Sequence, residues 1–191
     1  MTTRIDVTAD SRTAERRTGV RAEVRGETAF EPGGESRRWI SYGGSLAASV
    51  DLTGKHRVLG LGVDVDFVDP LDDKTVVPFV EQVIFGGEAQ MRGFPIGRLV
   101  DRSGASATLL YTWPVWAFLD GSLFASVGDV FDEHLTGLRL GELRLSGGMG
   151  MRSNGSTDNL FELLVGFGTD TFDAGAEVTS IRVVIGVHHG F

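Results

Sequence analysis

The chain has 191 residues, 26 acidic side chains against 18 basic ones, a formal net charge of −8 and no cysteine. With 41% hydrophobic residues it is too apolar for a disordered segment, and its length suits one domain with a core of its own. The lack of cysteine excludes disulfide scaffolds, cysteine-based zinc sites and thiol catalysis, and the acidic balance argues against a general nucleic-acid binder.

Glycine is the outlier. The 27 glycines are about twice the usual share of roughly 7%, and they are scattered through apolar segments, which suggests sheet rather than helix. The opening MTTRIDVTADSRTAERR has no apolar core and so does not read as a signal peptide; residues 1–8 predict at most a weak strand. Residues 18–28 then alternate, with Val20, Ala22 and Val24 on one face and Arg21, Glu23, Arg25 and Glu27 on the other. In residues 38–52, Ile40, Tyr42, Leu46, Ala48, Val50 and Leu52 oppose small polar residues. Residues 57–67 set Leu59, Leu61, Val63, Val65 and Phe67 against Gly60, Gly62, Asp64 and Asp66. Two looser runs cover 105–115 and 120–130, and a clear one, 142–152, sets Leu143, Leu145, Met149 and Met151 against Glu142, Arg144, Ser146 and Arg152. Residues 159–168 and 180–191 close the series, the last with Ile181, Val183, Ile185, Val187 and Phe191 on one face. This gives about eight strands of roughly ten residues, the length of a tilted membrane-spanning strand. The longest uncharged stretch, Ser103–Leu119, contains Pro114 and falls short of the ~20 apolar residues of a spanning helix.

Alternation alone leaves two all-β readings open: a soluble barrel or sandwich, and an antiparallel transmembrane β-barrel. Three features lean to the membrane. The apolar faces are bulky while the opposite faces carry glycines and small hydroxyls. Aromatics sit near strand ends (Trp39, Tyr42, Trp113, Trp116, Phe172 and Phe191), where an interfacial girdle would lie. Short separators at Thr53-Gly54 and Ala117–Leu119 alternate roughly with longer ones at 29–37, 69–80, 84–104, 130–140 and 153–158.

The segment Phe85-Gly86-Gly87-Glu88-Ala89-Gln90-Met91-Arg92-Gly93-Phe94 resembles the GG…(V/L)RG(F/Y) motif of the BamA/TamA family, the bacterial surface antigen family of outer-membrane assembly factors. Four further stretches resemble that family's later strands, in the same order: Tyr111–Pro114, Phe124–Phe131, Gly148–Arg152 and Gly186–Phe191. The resemblance implies the C-terminal half of a barrel of roughly sixteen strands, with residues 1–191 as outer-membrane barrel domain and without the family's periplasmic POTRA domains. It implies that the loop with Met91, Arg92, Gly93 and Phe94 folds into the lumen, and that Phe191 is a C-terminal signature. Ser126 and Leu110 stand where the family has Asp and Glu, so Arg92 needs another inner-wall partner. By period the candidates are Asp64, Asp66, Ser126, Glu142 and Glu162.

No G-x-S-x-G, Walker or H-E-x-x-H motif occurs, so no enzyme, cofactor or metal site is expected. His188 and His189 point to opposite faces of a strand, Asp64 and Asp66 read as lumen wall, and Asp69–Lys74 reads as a solvated loop without the EF-hand pattern. The implied function is to assist insertion of outer-membrane proteins, or translocation of polypeptide, in the bacterial outer membrane. The implied partners are outer-membrane lipid and client polypeptides, with no nucleic acid. The alternatives are a structural or pore-forming outer-membrane protein without assembly activity, or a soluble ligand-binding β-barrel. Eight strands cannot both close alone and hold a loop as long as 86–98. Two outcomes remain: the loop is expelled and the eight strands close alone, or, the favoured one, the sheet is unclosed with free edges near 18–28 and 180–190, its missing strands supplied by an N-terminal region or a second copy.

Overall fold

The period-two faces read above become one antiparallel meander. The structure, a computed structural model, describes residues 2–12, 18–31, 37–72, 76–132, 134–153 and 159–189. Its strands are β1 Thr2–Asp10, β2 Gly19–Glu31, β3 Arg37–Asp51, β4 Val58–Pro70, β5 Val83–Phe85, β6 Leu99–Asp101, β7 Ser103–Trp116, β8 Leu119–Phe131, β9 Arg144–Ser153, β10 Asn159–Thr171 and β11 Val178–His189. Nine of them form a single sheet in the order β1-β2-β3-β4-β7-β8-β9-β10-β11. The other two, β5 and β6, pair with each other inside the long β4–β7 connection.

The two faces of the sheet differ as the alternation requires. On one face Leu61, Val63, Ile181, Val183 and Ile185 stand exposed, Ile181 at 74% and Ile185 at 72%. Facing water, such a row would be an apolar patch in need of cover. The other face carries charge and small side chains. There Arg25 on β2 reaches Asp66 on β4 at 2.8 Å, across the intervening Gly43 of β3. A Cβ at Gly43 would run into the Asp66 carboxylate, so glycine is what lets this pair form. Glu23 takes hydrogen bonds from Arg21 at 2.9 Å and Arg25 at 3.4 Å, continuing the ladder.

Three expectations are corrected. The first segment is a full strand: all nine residues of β1 pair with β2, so the sheet has nine long strands rather than about eight. The free N-terminal edge is consequently β1 and not the 18–28 segment, which lies between β1 and β3. Trp39 does not join an outer girdle. It points to the inner face and is buried with Val68, Val77, Val83, Phe85, Met91, Phe94 and Leu99. Of the other girdle candidates, Tyr42, Trp113, Trp116 and Phe172 are exposed or partly exposed, with Trp116 and Phe118 beside each other at the β7–β8 turn. Phe191 lies outside the described residues, as do the side chains of His188 and His189.

Among the described residues no ladder joins β1 to β11, so the sheet is open. The nine strands alternate in direction, which makes β1 and β11 run the same way. The described connections alternate too: 52–57 and 117–118 lie at one end of the sheet, and 76–98, 134–143 and 172–177 at the other. The long connection with the Arg92 motif leaves from this second end and turns back over the inner face.

Candidate functional site: the loop seated on the inner face

Residues 86–94 form a closed turn. Gly86 N–H donates to the Gln90 carbonyl at 3.0 Å, Gly87 N–H to the Phe94 carbonyl at 2.9 Å, and Phe94 N–H to the Met91 carbonyl at 2.9 Å. Met91 takes a left-handed backbone conformation, φ 53°, which a non-glycine residue holds only where its surroundings fix it. Here they do: Met91 is fully buried, and Phe94 and Phe85 are 1% exposed. The hydrophobic cluster around them is the anchor that brings the loop to the sheet.

The polar contacts fix its depth. Gly93 N–H donates to the Ser146 hydroxyl of β9 at 2.7 Å. Gly93 is packed so closely that a Cβ would overlap the Phe167 carbonyl of β10, so no other residue fits there. Gln90 Nε2 donates to Asp64 on β4 at 3.3 Å. On the far side, Ser180 donates its hydroxyl to the Gly93 carbonyl at 3.1 Å. Arg182 Nη1 donates to the carbonyls of Gly87 at 2.9 Å and Arg92 at 3.1 Å. The loop thus touches β4, β9, β10 and β11.

Arg92 lies along the sheet from this seat. Its Nη2 donates to Glu162 Oε1 of β10 at 3.2 Å, and its guanidinium carbon sits 5.3 Å from the centre of the Phe124 ring on β8. Both side chains of the pair are about one-fifth exposed, 21% and 20%. Burial pushes the Arg92 guanidinium below its ordinary pKa; Glu162 opposes that shift, while Arg182 and Arg152 add to it. Arg92 Nε is buried and has no hydrogen-bond partner among the described residues. A cavity of about 540 Å³ opens beside Arg92, lined among others by Thr112, Asp120, Ser122, Arg152 and Glu162.

Of the sequence candidates for the partner of Arg92, Glu162 is the one in contact. Asp64 is engaged by Gln90 of the same loop, and Asp66 by Arg25. Ser126 is buried and hydrogen-bonds Thr108 at 2.9 Å. Glu142 lies outside β9 in a short turn, exposed, 3.5 Å from Arg139. The Asp69 end of the acidic loop takes hydrogen bonds from Tyr42 at 2.8 Å and pairs with His134 at 2.9 Å; residues 73–75 lie outside the described residues.

The domain of the Omp85 superfamily matches residues 7–161, from within β1 to the start of β10. The chain belongs to the Omp85 superfamily. No curated protein matches it. The match places the chain, broadly, among families of outer-membrane protein insertion and translocation. Within this Omp85 chain, the loop's seat also uses residues that the motif reading did not single out. Ser146, Ser180 and Arg182 each contact the loop, and Gln90 within the loop reaches Asp64. Their period placed the first three on the inner face, but period carries no information about what arrives there from a distant loop.

Proposed function

We propose that this chain is a BamA/TamA-type barrel region, the C-terminal half of a larger barrel, that assists insertion of outer-membrane proteins or translocation of polypeptide. The reading that residues 1–191 form one outer-membrane barrel domain belongs to this proposal. The observation that carries it is the loop of Met91, Arg92, Gly93 and Phe94 held on the inner face of a sheet whose strand β11 has, among the described residues, one neighbour only. An unpaired strand edge in hydrocarbon leaves backbone groups that cost several kcal/mol apiece. Such an edge is therefore reactive toward any strand that can complete it, and a client strand would be taken up by β-augmentation. The exposed Val and Ile face supports contact with lipid, and the charged, small-residue face supports a lumen. Because β1 and β11 run the same way, an odd number of further strands is needed to close the barrel antiparallel throughout. These would come from an N-terminal region or a second copy.

A second reading, a structural or pore-forming outer-membrane protein without assembly activity, draws support from Ser126 and Leu110 in place of the family's acids. Glu162 weakens that support, because it supplies Arg92 with a carboxylate from another strand. The test is reconstitution of the full-length protein into lipid vesicles, followed by the rate at which an unfolded barrel client becomes folded and protease-resistant. Faster folding than in protein-free vesicles, lost on Arg92→Ala, is expected. A rate equal to that of protein-free vesicles would favour the second reading.

A further inference from the structure

The last strand does more than end the sheet. Arg182 and Ser180 are two residues apart on β11, so the strand period puts both on the inner face, and both hold the loop. A single atom, Arg182 Nη1, reaches two carbonyls, those of Gly87 and Arg92. These two acceptors lie five residues apart in sequence. They come within reach of one nitrogen only because the turn is closed, through Gly87 to Phe94 and Phe94 to Met91. Arg182 thus binds the folded form of the loop and not merely a stretch of chain. It does so against repulsion: Arg92 is close enough for Arg182 to lower its pKa. Among the described residues β11 has one ladder, to β10, with a register shift at Gly168/Thr169.

We propose that Arg182, assisted by Ser180, is a positioning residue that couples the edge strand to the loop: while the loop is docked, β11 is held, and when the loop lifts, β11 is released to take another strand. This deepens the functional reading above and rests on it for its purpose, though the coupling itself does not. Coupling of this kind is reciprocal, so loosening either element loosens the other. The acceptors are backbone carbonyls, which do not titrate, so the contact persists across the pH range in which carboxylates change charge.

Hydrogen exchange on the full-length protein reads both elements at once. Arg182→Ala is expected to accelerate exchange about tenfold in residues 178–186 and in residues 86–94 together, with residues 19–26 of β2, which do not touch the loop, unchanged. The reciprocal variant, Ser146→Ala, removes the loop's anchor on β9, which does not touch β11; it is expected to accelerate 178–186 as well as the loop. Should Arg182→Ala fail to fold, Arg182→Gln keeps one donor and is expected to give a smaller acceleration of both segments. Acceleration confined to 178–186 in the Arg182 variants, or confined to the loop in Ser146→Ala, would overturn the coupling. Vesicle insertion assays on the same proteins separate the two ideas. Joint acceleration in a protein that never inserts a client supports the coupling and overturns the function. Insertion by a protein whose two segments exchange independently does the reverse.

Discussion

Replacing Glu162 with Gln keeps the shape of the side chain and an acceptor oxygen but removes the charge facing Arg92. Breaking a fully buried ion pair costs ~3–5 kcal/mol, and an exposed one ~0–1 kcal/mol. This pair is about one-fifth exposed on both sides, with one hydrogen bond of 3.2 Å, and Arg92 Nε has no acceptor among the described residues to take up the loss. The cation–π contact with Phe124 survives the change. An intermediate value of about 2 kcal/mol follows, a roughly 30-fold rise in the fraction of molecules with the loop undocked. Hydrogen exchange of residues 86–94 measures that fraction directly. A double-mutant cycle with Arg92→Leu and Glu162→Leu should return a coupling of about 1–2 kcal/mol. Exchange raised less than about threefold, with coupling under ~0.3 kcal/mol, would refute the assignment of Glu162 as the partner.

Three further expectations come from the same geometry. Gly93→Ala forces a Cβ into the Phe167 carbonyl, so the loop must lift; limited trypsin digestion should cut after Arg92 at least tenfold faster than in the parent protein. Phe94→Ala empties the most enclosed part of the loop's seat and should destabilise the folded protein by about 3–5 kcal/mol in urea titrations. Val183→Arg puts a charge on the exposed apolar face midway along β11 and should cost about 2–4 kcal/mol when the protein folds into lipid vesicles; a near-zero cost there would count against a lipid-facing surface.

The strands were legible because their signal is local. In β4 and β11 every second residue is apolar, and that pattern survives whatever the sheet does. β1 was underweighted for a physical reason: all nine of its residues are exposed, so backbone pairing with β2 holds it rather than burial, and composition records burial. The three-residue strands β5 and β6 are too short to show any period. The loop motif was legible as a string, and Glu162 was among the carboxylates its period put on the inner face. Which of those carboxylates meets Arg92 depends on how far the loop reaches down the sheet. That depth is set by Gly93 against Phe167 and by Met91 and Phe94 in their cluster, long-range contacts that no window of sequence contains. The burial of Trp39 has the same origin: its neighbours Val77, Phe85 and Met91 arrive from the loop.

The claim that most needs testing is that β11 offers its edge to a client strand. Because the chain has no cysteine, single cysteines can be placed at 181, 183 and 185 without background. A client barrel carrying single cysteines along its last strand is then trapped during insertion and disulfide-linked species are counted. Strand addition at this edge predicts cross-links at alternate client positions, shifting by two residues as the β11 cysteine moves by two, and absent from matched cysteines at 61 and 63 on β4 in the middle of the sheet. Cross-links that form equally at β4, or none at β11 while the client still inserts, would contradict the account.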